Sequence, residues 1–563
     1  MKVTNEQEIV LSDVSTYPVR HLPIIKEYAN KLGIVDTINH LVPSEMDIDP
    51  GTIFLGLILD TLSGRSPLYR LKDFFETQDR ELLLGKEVNP DVFSDHNVGR
   101  VLDKAYDIGT MKIFSEISRG AVSVFDVKTN HVSFDTTSVS VFGEYESSES
   151  EDSPFKITHG YSKDHRPDLK QFLISHLCVD RNIPIFGKTE DGNGSDKTIN
   201  NEILSSISKH MSKHGLEEGS YIYIADSAMV TEDNLKSVGQ NLFITRLPAT
   251  YKECSRVIKE AVLADDWNDI GVLAITKSTK NRPAASYKSY ENNVELYGKS
   301  YRAVVLHSSA HDKRRQKRID RELESERKEM ESELKKQTKK EFFCIADALQ
   351  AKKEIEETKS KYYTITAKLE ENPKYKRGRL PKNGIREIKE MRYKIESVLE
   401  EKEDEVKMLK EEAGCFVLLT NVPNDGENSY NSRSIIKAYK DQHGIEQNFG
   451  FLKNPTIVNG IFLKSPERIE VLGLVLLISL LIWRLIEHTM RQYIEKSGTT
   501  LPGWDNKRTE RPTSFMMLTK FMGIMSIKIG NKRGLSKPLS NDQLEYLIAL
   551  KLKFDIFVNP GKT

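Results

Sequence analysis

The fold is decided by a short run of strand-forming residues, HVSFDTTSVSVF, at positions 131–142. The run is rich in β-branched and aromatic residues and is bounded by turn residues, which predicts a β-strand. Similar runs follow at 172–179, 183–187, 220–225 (SYIYIA) and 241–246 (NLFITR), and a helical pattern covers 197–214. Strands that are interleaved with helices predict an α/β fold.

The two ends of the chain differ in pattern and in charge. Residues 1–128 have apolar residues at three- and four-residue spacing, which predicts a helical N-terminal region. This region has 14 basic and 20 acidic residues, so binding of DNA ends would need its basic residues gathered on one face. The tail from 488 to 563 has 13 basic and 6 acidic residues. This excess of basic residues is compatible with binding to phosphates. The alternative is that it is the ordinary charge of a protein surface.

Two further predicted strands, at 301–307 and 414–420, are separated by a long and highly charged segment. Its apolar residues follow a heptad-like spacing in Ile385, Ile388, Ile395, Leu399, Val406 and Leu409, and a second set is Ile319, Leu323, Met330 and Leu334. This spacing predicts that 311–412 is a helical hairpin inserted into the α/β unit. The alternative is a pair of long helices with a solvated charged face.

Composition limits the class of protein. A chain of 563 residues with 83 basic and 83 acidic residues is expected to form several domains, and it is not uniformly basic. Its four cysteines lack a C-x-x-C pair, which makes a zinc site or a disulfide scaffold unexpected. The apolar run Val471–Trp483 is too short for a bilayer and predicts a buried helix. With no apolar leader at the N-terminus, we expect a cytoplasmic protein without a membrane partner.

Three acidic residues stand out by position. Asp135 lies within the strand at 131–142, where burial of a carboxylate is costly, unless it simply faces outward. Asp226 follows SYIYIA at the end of a buried strand, where α/β sheets bind ligands, although it could equally cap a helix. Glu446 lies in the helical pattern 435–452. Tyr439 and Lys453 are each seven residues from Glu446, so the three side chains lie on one face of the helix. The alternative is an ordinary amphipathic edge, where long polar side chains extend from an apolar surface to solvent.

Together these residues resemble the signature Y-x2-R-x3-E-x6-K of DDE transposases from bacterial and archaeal insertion sequences. Tyr439, Glu446 and Lys453 match it, whereas the arginine position is Gln442. The segments FDTTS around Asp135, GYSKDHRPDLKQF, IADSAMV and FLKSPERIE are also similar to one branch of these enzymes. The resemblance covers the chain from about residue 20 to 490.

The resemblance implies a ribonuclease-H-like catalytic core that is interrupted by an insertion. The implied parts are a helical N-terminal domain at 1–128, core segments at 129–250 and 426–490, an insertion at 251–425 that contains the hairpin, and a basic C-terminal region at 491–563. Asp135, Asp226 and Glu446 would be the catalytic residues and would bind two Mg²⁺ ions, for which Mn²⁺ can substitute. In such a site Asp135 bridges the ions, and the ions serve in-line displacement at phosphorus. The enzyme would act in the cytoplasm, at the nucleoid.

The expected substrate is double-stranded DNA, in the form of terminal inverted repeats and target DNA, held by a homodimer in a synaptic complex. Lys453 and Tyr439 would hold the backbone of the transposon end. At the arginine position, either the amide of Gln442 is used, or Lys440 or His443 takes its place, or phosphate is bound more weakly. A basic loop adds Lys163, His165, Arg166 and Lys170, which either face phosphates or form a basic surface hairpin. Trp267 either stacks on a flipped base, as the resemblance implies, or is an ordinary buried tryptophan.

Two other functions are compatible with the sequence. Gln442 and the acidic N-terminal region suit a catalytically inactive or domesticated derivative that still binds DNA. The heptad spacing suits an interaction protein built around the hairpin. Cleavage of terminal repeats with a divalent metal, and its loss when Asp226 is replaced, would distinguish a transposase from both.

Overall fold

The computed structural model describes residues 14–64, 70–145, 153–162, 166–274, 283–378, 384–426, 428–454 and 463–561. The chain is a mixed α/β protein with a large mixed sheet and many helices. It divides into two compact units. The first unit comprises Met1–Thr245 and Lys437–Thr563, and the second unit comprises Arg246–Ile436.

The first unit begins with a strand and a group of helices. These elements are β1 (Val14–Tyr17), α1 (Leu22–Lys31), α2 (Ile34–Leu41), α3 (Pro50–Gly64), α4 (Leu71–Glu76), α5 (Arg80–Leu84), α6 (Asp95–Ile108) and α7 (Thr110–Val124). Helix α3 is apolar on all sides and is buried from Pro50 to Leu62. Residues 97–114 have the apolar spacing of a helix. They are divided between α6 and α7 because Gly109 has a φ of +95°, which a helix does not accommodate.

The five predicted strands after residue 130 are confirmed. They are β2 (His131–Val141), β3 (Lys170–Val179), β4 (Ile183–Glu190), β5 (Ile222–Ala225) and β6 (Leu242–Arg246), with α8 (Asp196–Ser212) and α9 (Glu232–Ser237) between them. Their order is β4-β3-β2-β5-β6. The first three pair antiparallel, and β5 pairs parallel with both β2 and β6. The helices supply the crossovers that parallel pairing requires.

The second unit combines an antiparallel sheet with a helix-supported hairpin. Its elements are α10 (Lys252–Ala264), β7 (Asn268–Val272), β8 (Ser286–Leu296), β9 (Lys299–Ser308), α11 (Ser309–Gln337), α12 (Ile345–Glu356), β10 (Tyr363–Tyr375), β11 (Ile388–Glu401), α13 (Glu403–Glu412) and β12 (Cys415–Thr420). The sheet order is β12-β9-β8-β7, and β10 pairs with β11 in a separate two-stranded sheet.

The predicted helical hairpin at 311–412 is wrong. Among the described residues of this segment, only those of α11, α12 and α13 are helical, and residues 388–401 form β11. Ile395 and Leu399 are four apart, a spacing that keeps both on one face of a strand as well as of a helix. Ile388 is seven residues from Ile395, and an odd spacing places it on the other face, where it is 49% exposed. The strand therefore satisfies part of the heptad pattern.

The apolar residues of the two predicted seams do pack together, but from different elements. Met330 and Leu334 of α11 contact Ile395 of β11 together with residues of α12 and β10. Leu323 contacts Val406 of α13, and Leu399 and Leu409 lie at the edge of the same cluster. The core of this part of the second unit is thus a helix packed against a hairpin. Because these residues do not form two paired helices, the heptad-like spacing is no longer evidence for an interaction protein built around a helical hairpin.

The described residues in the last part of the chain form four short α-helices, one long α-helix and four short strands. They are α14 (Ser432–Asp441), α15 (His443–Leu452), α16 (Pro466–Ser497), β13 (Leu501–Pro502), β14 (Arg508–Thr509), α17 (Ser514–Phe521), β15 (Ser526–Ile529), β16 (Lys532–Leu535) and α18 (Asn541–Ala549). Helix α16 is the only described helix with the length and apolar character to cross a membrane, and 94% of its apolar window is buried. It packs on β4, α3, α6 and α7, which confirms the predicted buried helix.

The basic tail is tied to the acidic N-terminal region. Strand β15 pairs with β1, and Lys528 of β15 forms an ion pair with Glu81 at 3.0 Å. Arg533 of β16 forms ion pairs with Asp79 at 2.7 Å and with Glu81 at 2.5 Å. The side chain of Arg533 is 3% exposed. Arg533 is therefore held by carboxylates within the fold, whereas contact of the basic tail as a whole with phosphates stays a prediction.

Candidate active site

Asp135 lies on β2, and Asp226 directly follows β5, the strand that pairs parallel with β2. The register pairs His131 with Ile222 and Ser133 with Ile224, and two further residues along the chain reach Asp135 and Asp226. Neighbouring strands are about 4.8 Å apart. Burial, and then the negative charges of Asp226 and Asp135, raise the pKa of the fully buried Tyr223 well above its usual value. Both carboxylates therefore act on one buried side chain, as convergence at a sheet edge requires.

Asp226 has a defined local structure. Its Oδ1 accepts a hydrogen bond from Ala228 N at 3.0 Å and so caps the short 3-10 turn Ser227–Met229. Its backbone carbonyl accepts a hydrogen bond from Thr245 Oγ1 at 2.6 Å. The capping interpretation is therefore right. It does not exclude ligand binding, because the Asp226 side chain is exposed and one carboxylate oxygen satisfies the cap.

Asp135 is half-buried in a strand whose other positions are almost all buried. The strand therefore has no alternating solvent face, and the interpretation of Asp135 as an outward-facing residue is wrong. Its Oδ1 accepts a hydrogen bond from Thr136 N at 2.7 Å. Thr136 Oγ1 in turn donates to Asp196 Oδ1 at 2.6 Å, which joins β2 to the first turn of α8.

Helix α15, which carries Glu446, packs on the face of the sheet that carries Asp135. Asp135 pairs across the strands with His176 of β3, and such partners project from the same face. The His176 ring meets the ring of Phe449 edge-on, with centroids 5.5 Å apart. Glu446 precedes Phe449 by three residues and so lies on the same side of α15. Its side chain is exposed.

A buried polar network fixes α15 against the sheet. Asn448 Nδ2 donates to the carbonyl of Asn182 at 3.0 Å and to Cys178 Sγ at 3.2 Å. Asn448 Oδ1 accepts from Arg484 Nε of α16 at 2.7 Å. Arg484 forms an ion pair with Glu487 at 2.6 Å, and the two side chains are 5% and 2% exposed. Removing any member would leave a buried polar partner unsatisfied, so the network holds the helix of Glu446 in one place.

A close backbone approach and an ion pair add to this attachment. A Cβ atom at Gly444 would lie 2.7 Å from the carbonyl oxygen of Arg181, so only glycine fits at this position of α15 without a shift. Arg181 Nη2 also forms an ion pair with Asp441 Oδ1 at 2.8 Å. Sequence reasoning missed Asn448 and Gly444, but Arg484 and Glu487 were visible as the charges that end an apolar run.

The residues of the second half of the signature flank α15. The helix predicted over 435–452 is interrupted at Gln442, which lies between α14 and α15 with helical φ and ψ of −56° and −28°. Tyr439 lies in the last turn of α14, and Lys453 follows α15 directly. All three side chains are partly exposed, so all three can contact a ligand. Their roles on DNA stay predictions.

The other predicted DNA contacts are placed as follows. Lys163 and His165 lie outside the described residues. Arg166 is exposed and forms a bidentate ion pair with Asp168, at 2.9 and 2.7 Å. Lys170 donates a hydrogen bond to the carbonyl of Glu144. A phosphate that binds Arg166 would have to displace Asp168, at a small cost because the pair is solvated.

Trp267 belongs to the second unit and is half-buried. Its ring meets Tyr290 and His307 edge-on, with centroids 6.4 and 6.1 Å away. It lines a cavity of about 680 Å³ together with charged residues that include Lys288 and Asp312. Trp267 is therefore not an ordinary fully buried tryptophan. Its stacking on a base stays a prediction.

The carboxylates only partly match the predicted metal site. Asp135 and Asp226 offer the carboxylate oxygens that Mg²⁺ prefers, and their register brings them side by side. In the part of the chain that the structure describes, however, no three His, Cys, Asp or Glu side chains are gathered as a metal-binding group. The ligand set of Asp135, Asp226 and Glu446 therefore stays a prediction.

A protein-family model matches the N-terminal part of the chain. The family model described as a domain of unknown function, DUF4277, matches residues 14–119. This match covers β1 and the helices up to α7, and the domain is found in transposase-like proteins. No curated protein matches the chain.

Proposed function

We propose that this protein is a DDE transposase of a prokaryotic insertion sequence. It would cleave phosphodiester bonds at terminal inverted repeats and join the 3′-OH ends to target DNA. The observation that carries the proposal is the parallel pairing of β2 with β5, since Asp135 follows the paired Ser133 by two residues and Asp226 follows the paired Ile224 by two residues. The match of residues 14–119 to a domain found in transposase-like proteins supports the same class.

The topology of the first unit supports a ribonuclease-H-like core. The strand of Asp135 is central in the order β4-β3-β2-β5-β6. Three antiparallel strands come first, and helical crossovers then lead to two parallel strands. Asp226 follows the first of these parallel strands, at the carboxyl edge where open α/β sheets bind ligands.

The residues of the site have distinct proposed roles. Asp135, Asp226 and Glu446 would hold two Mg²⁺ ions, which supply activation of the attacking oxygen and stabilisation of the leaving oxygen when bound. The hydrogen bonds from Thr136 N and Ala228 N orient the carboxylates of Asp135 and Asp226. Lys453 places a positive charge for a DNA phosphate, and the hydroxyl of Tyr439 donates to the same backbone. The network around Asn448 fixes the helix between them.

A second candidate function is a DNA-binding derivative that no longer cleaves. Two observations favour it. Gln442 occupies the arginine position of the signature and cannot form a bidentate contact with phosphate. The three carboxylates are also not gathered as one metal-binding group among the described residues. Such a derivative would bind the terminal repeats with strong salt dependence and give no metal-dependent product.

The experiment uses the full-length protein and a labelled duplex that carries the inverted repeats flanking its coding region. With Mg²⁺ or Mn²⁺, we expect nicked or excised ends, and we expect Asp226→Asn to reduce the rate roughly a thousandfold or more. The matched control is Asp233→Asn, which removes an exposed carboxylate on α9 and should keep full activity. Equal cleavage by Asp226→Asn would refute the assignment, and specific binding without any product would favour the derivative.

A further inference from the structure

The first half of α11 carries a stripe of positive charge. A helix turns by roughly 100° per residue, so Arg314, Lys317, Arg318 and Arg321 fall within an arc of about 100°. All four side chains are exposed. The buried residues of the helix, which are Leu323, Met330 and Leu334, project from the opposite side. The four cations are called the basic stripe below.

The basic stripe is unfavourable within the fold itself. Arg314 lies three and four residues before Lys317 and Arg318, and both of these lie three or four residues before Arg321. Each like-charge contact of this kind costs about 0.2–0.5 kcal/mol. Arg318 forms an ion pair with Glu322 at 2.7 Å, whereas Arg314, Lys317 and Arg321 make no ion pair with any described residue.

The second half of the same helix is built differently. Arg327 forms an ion pair with Glu331 at 3.0 Å, and Lys328 forms one with Glu324 at 3.0 Å. Both pairs have the four-residue spacing that stabilises a helix. The second half therefore has two opposite-charge pairs at this spacing, whereas the first half combines one such pair, Arg318 with Glu322, with the like charges of the basic stripe. Like charges at this spacing destabilise the helix, and three of the four stripe residues have no ion pair with a described residue that compensates for this. We therefore expect the stripe to have a role in binding another molecule.

We propose that the basic stripe binds the phosphate backbone of duplex DNA as a contact independent of sequence. From Arg314 to Arg321 the helix rises about 10 Å, at 1.5 Å per residue. Duplex DNA carries one negative charge per about 1.7 Å of axis, so the stripe can neutralise several phosphates. Three of its four residues are arginines, whose guanidinium groups bind phosphate in bidentate fashion. The choice of DNA among duplex polyanions rests on the proposed function.

The test measures metal-free binding of the full-length protein to a labelled DNA duplex of random sequence over a series of salt concentrations. In the variant Arg314→Gln/Lys317→Gln/Arg321→Gln, we expect the slope of log K against log salt to fall in magnitude by about 3, at roughly 0.9 per charge. The control Lys328→Gln/Lys335→Gln/Lys336→Gln removes three cations from the second half of α11 and should keep the slope. Equal slopes for the two variants would overturn the proposal.

Two further measurements keep the test decisive. The stripe variant should unfold at the same temperature as the natural protein or slightly above it, because like-charge repulsion is relieved. If the stripe variant is less stable, DNA binding is also measured for a variant that retains the charge, Arg314→Lys/Arg318→Lys/Arg321→Lys. We expect this variant to keep the slope of log K against log salt of the natural protein. Loss of binding to duplex RNA or anionic vesicles, with DNA binding unchanged, would overturn the proposal.

These outcomes are separate from those of the cleavage experiment. Because binding is measured without metal, the basic stripe can be confirmed in a protein that does not cleave. Conversely, cleavage that depends on Asp226 can persist when the stripe variant binds DNA as the natural protein does. Failure of one proposal therefore does not imply failure of the other.

Discussion

The buried ion pairs of the first unit and the exposed charges of α11 in the second unit have opposite roles. In the first unit, Arg484 and Glu487 form an ion pair with side chains 5% and 2% exposed, and Arg533 and Asp79 form one at 3% and 1% exposed. In the second unit, Arg318 of α11 is 80% exposed although it also has a partner. Buried charges must be paired, because desolvation of a lone charge is very costly. Exposed charges are stabilised by water and stay available to a ligand.

This difference indicates which charged residues stabilise the fold and which are candidates for binding a ligand. A buried pair fixes the elements that carry it, as Arg484 does for Asn448 and α15. It is a poor candidate for binding a substrate, because breaking it destabilises the fold. An exposed cluster contributes little to stability, so substitutions there can report on binding alone. The three predictions below test this difference, from the largest expected effect to the smallest.

The largest effect is expected when one partner of a buried pair is removed. Arg533→Met leaves Asp79 buried without its cation, and we expect the free energy of unfolding to fall by about 3–5 kcal/mol. Urea unfolding measures it. The double variant Arg533→Met/Asp79→Leu removes both charges and should recover much of the loss. If the single variant lost less than about 1 kcal/mol, the pair would behave as a surface pair does.

A smaller effect is expected from a buried group that has no charged partner. Burial lowers the pKa of His21 from 6.5 to about 4, although its contact with the Leu62 carbonyl opposes this shift. The folded state thus keeps His21 neutral, while the unfolded chain protonates it below 6.5. Stability is fully present above pH 6.5 and is lost as pH falls towards 4, by up to about 3 kcal/mol.

The variant His21→Gln isolates this contribution, because glutamine can donate to Leu62 but does not titrate in this range. Unfolding free energies of the two proteins, measured from pH 7 to 4, should converge as the pH falls. A constant difference over that range would show that His21 does not titrate with the expected shift.

The smallest effect is expected on the exposed part of α11. Arg327→Gln breaks the ion pair with Glu331 in solvent, and we expect a loss below about 0.5 kcal/mol. Thermal unfolding at low and high salt measures it, and high salt should reduce the difference further. A loss of more than about 1.5 kcal/mol in the free energy of unfolding would show that the exposed charges of α11 stabilise the fold, which would contradict the contrast with the buried pairs.

Local pattern predicted the sheet of the first unit well. The strands at 131–142 and 220–225 were found because β-branched and aromatic residues between turn residues leave few alternatives. The same reasoning found the buried α16, but it missed the break at Gly109. It also missed β10, although Tyr363, Ile365 and Ala367 alternate with exposed residues. The heptad spacing around Ile395 was given more weight than this alternation.

The sequence alone predicted the strands of the first unit, the position of Asp226 directly after one of them, and the buried character of α16. These follow from the periodicity of neighbouring residues, which acts within one element. Only the tertiary structure decided that 388–401 is a strand, that Arg533 is neutralised by Asp79, and that Asn448 anchors α15. Each of these depends on a partner far away in the chain, and a spacing of four residues is compatible with both a strand and a helix.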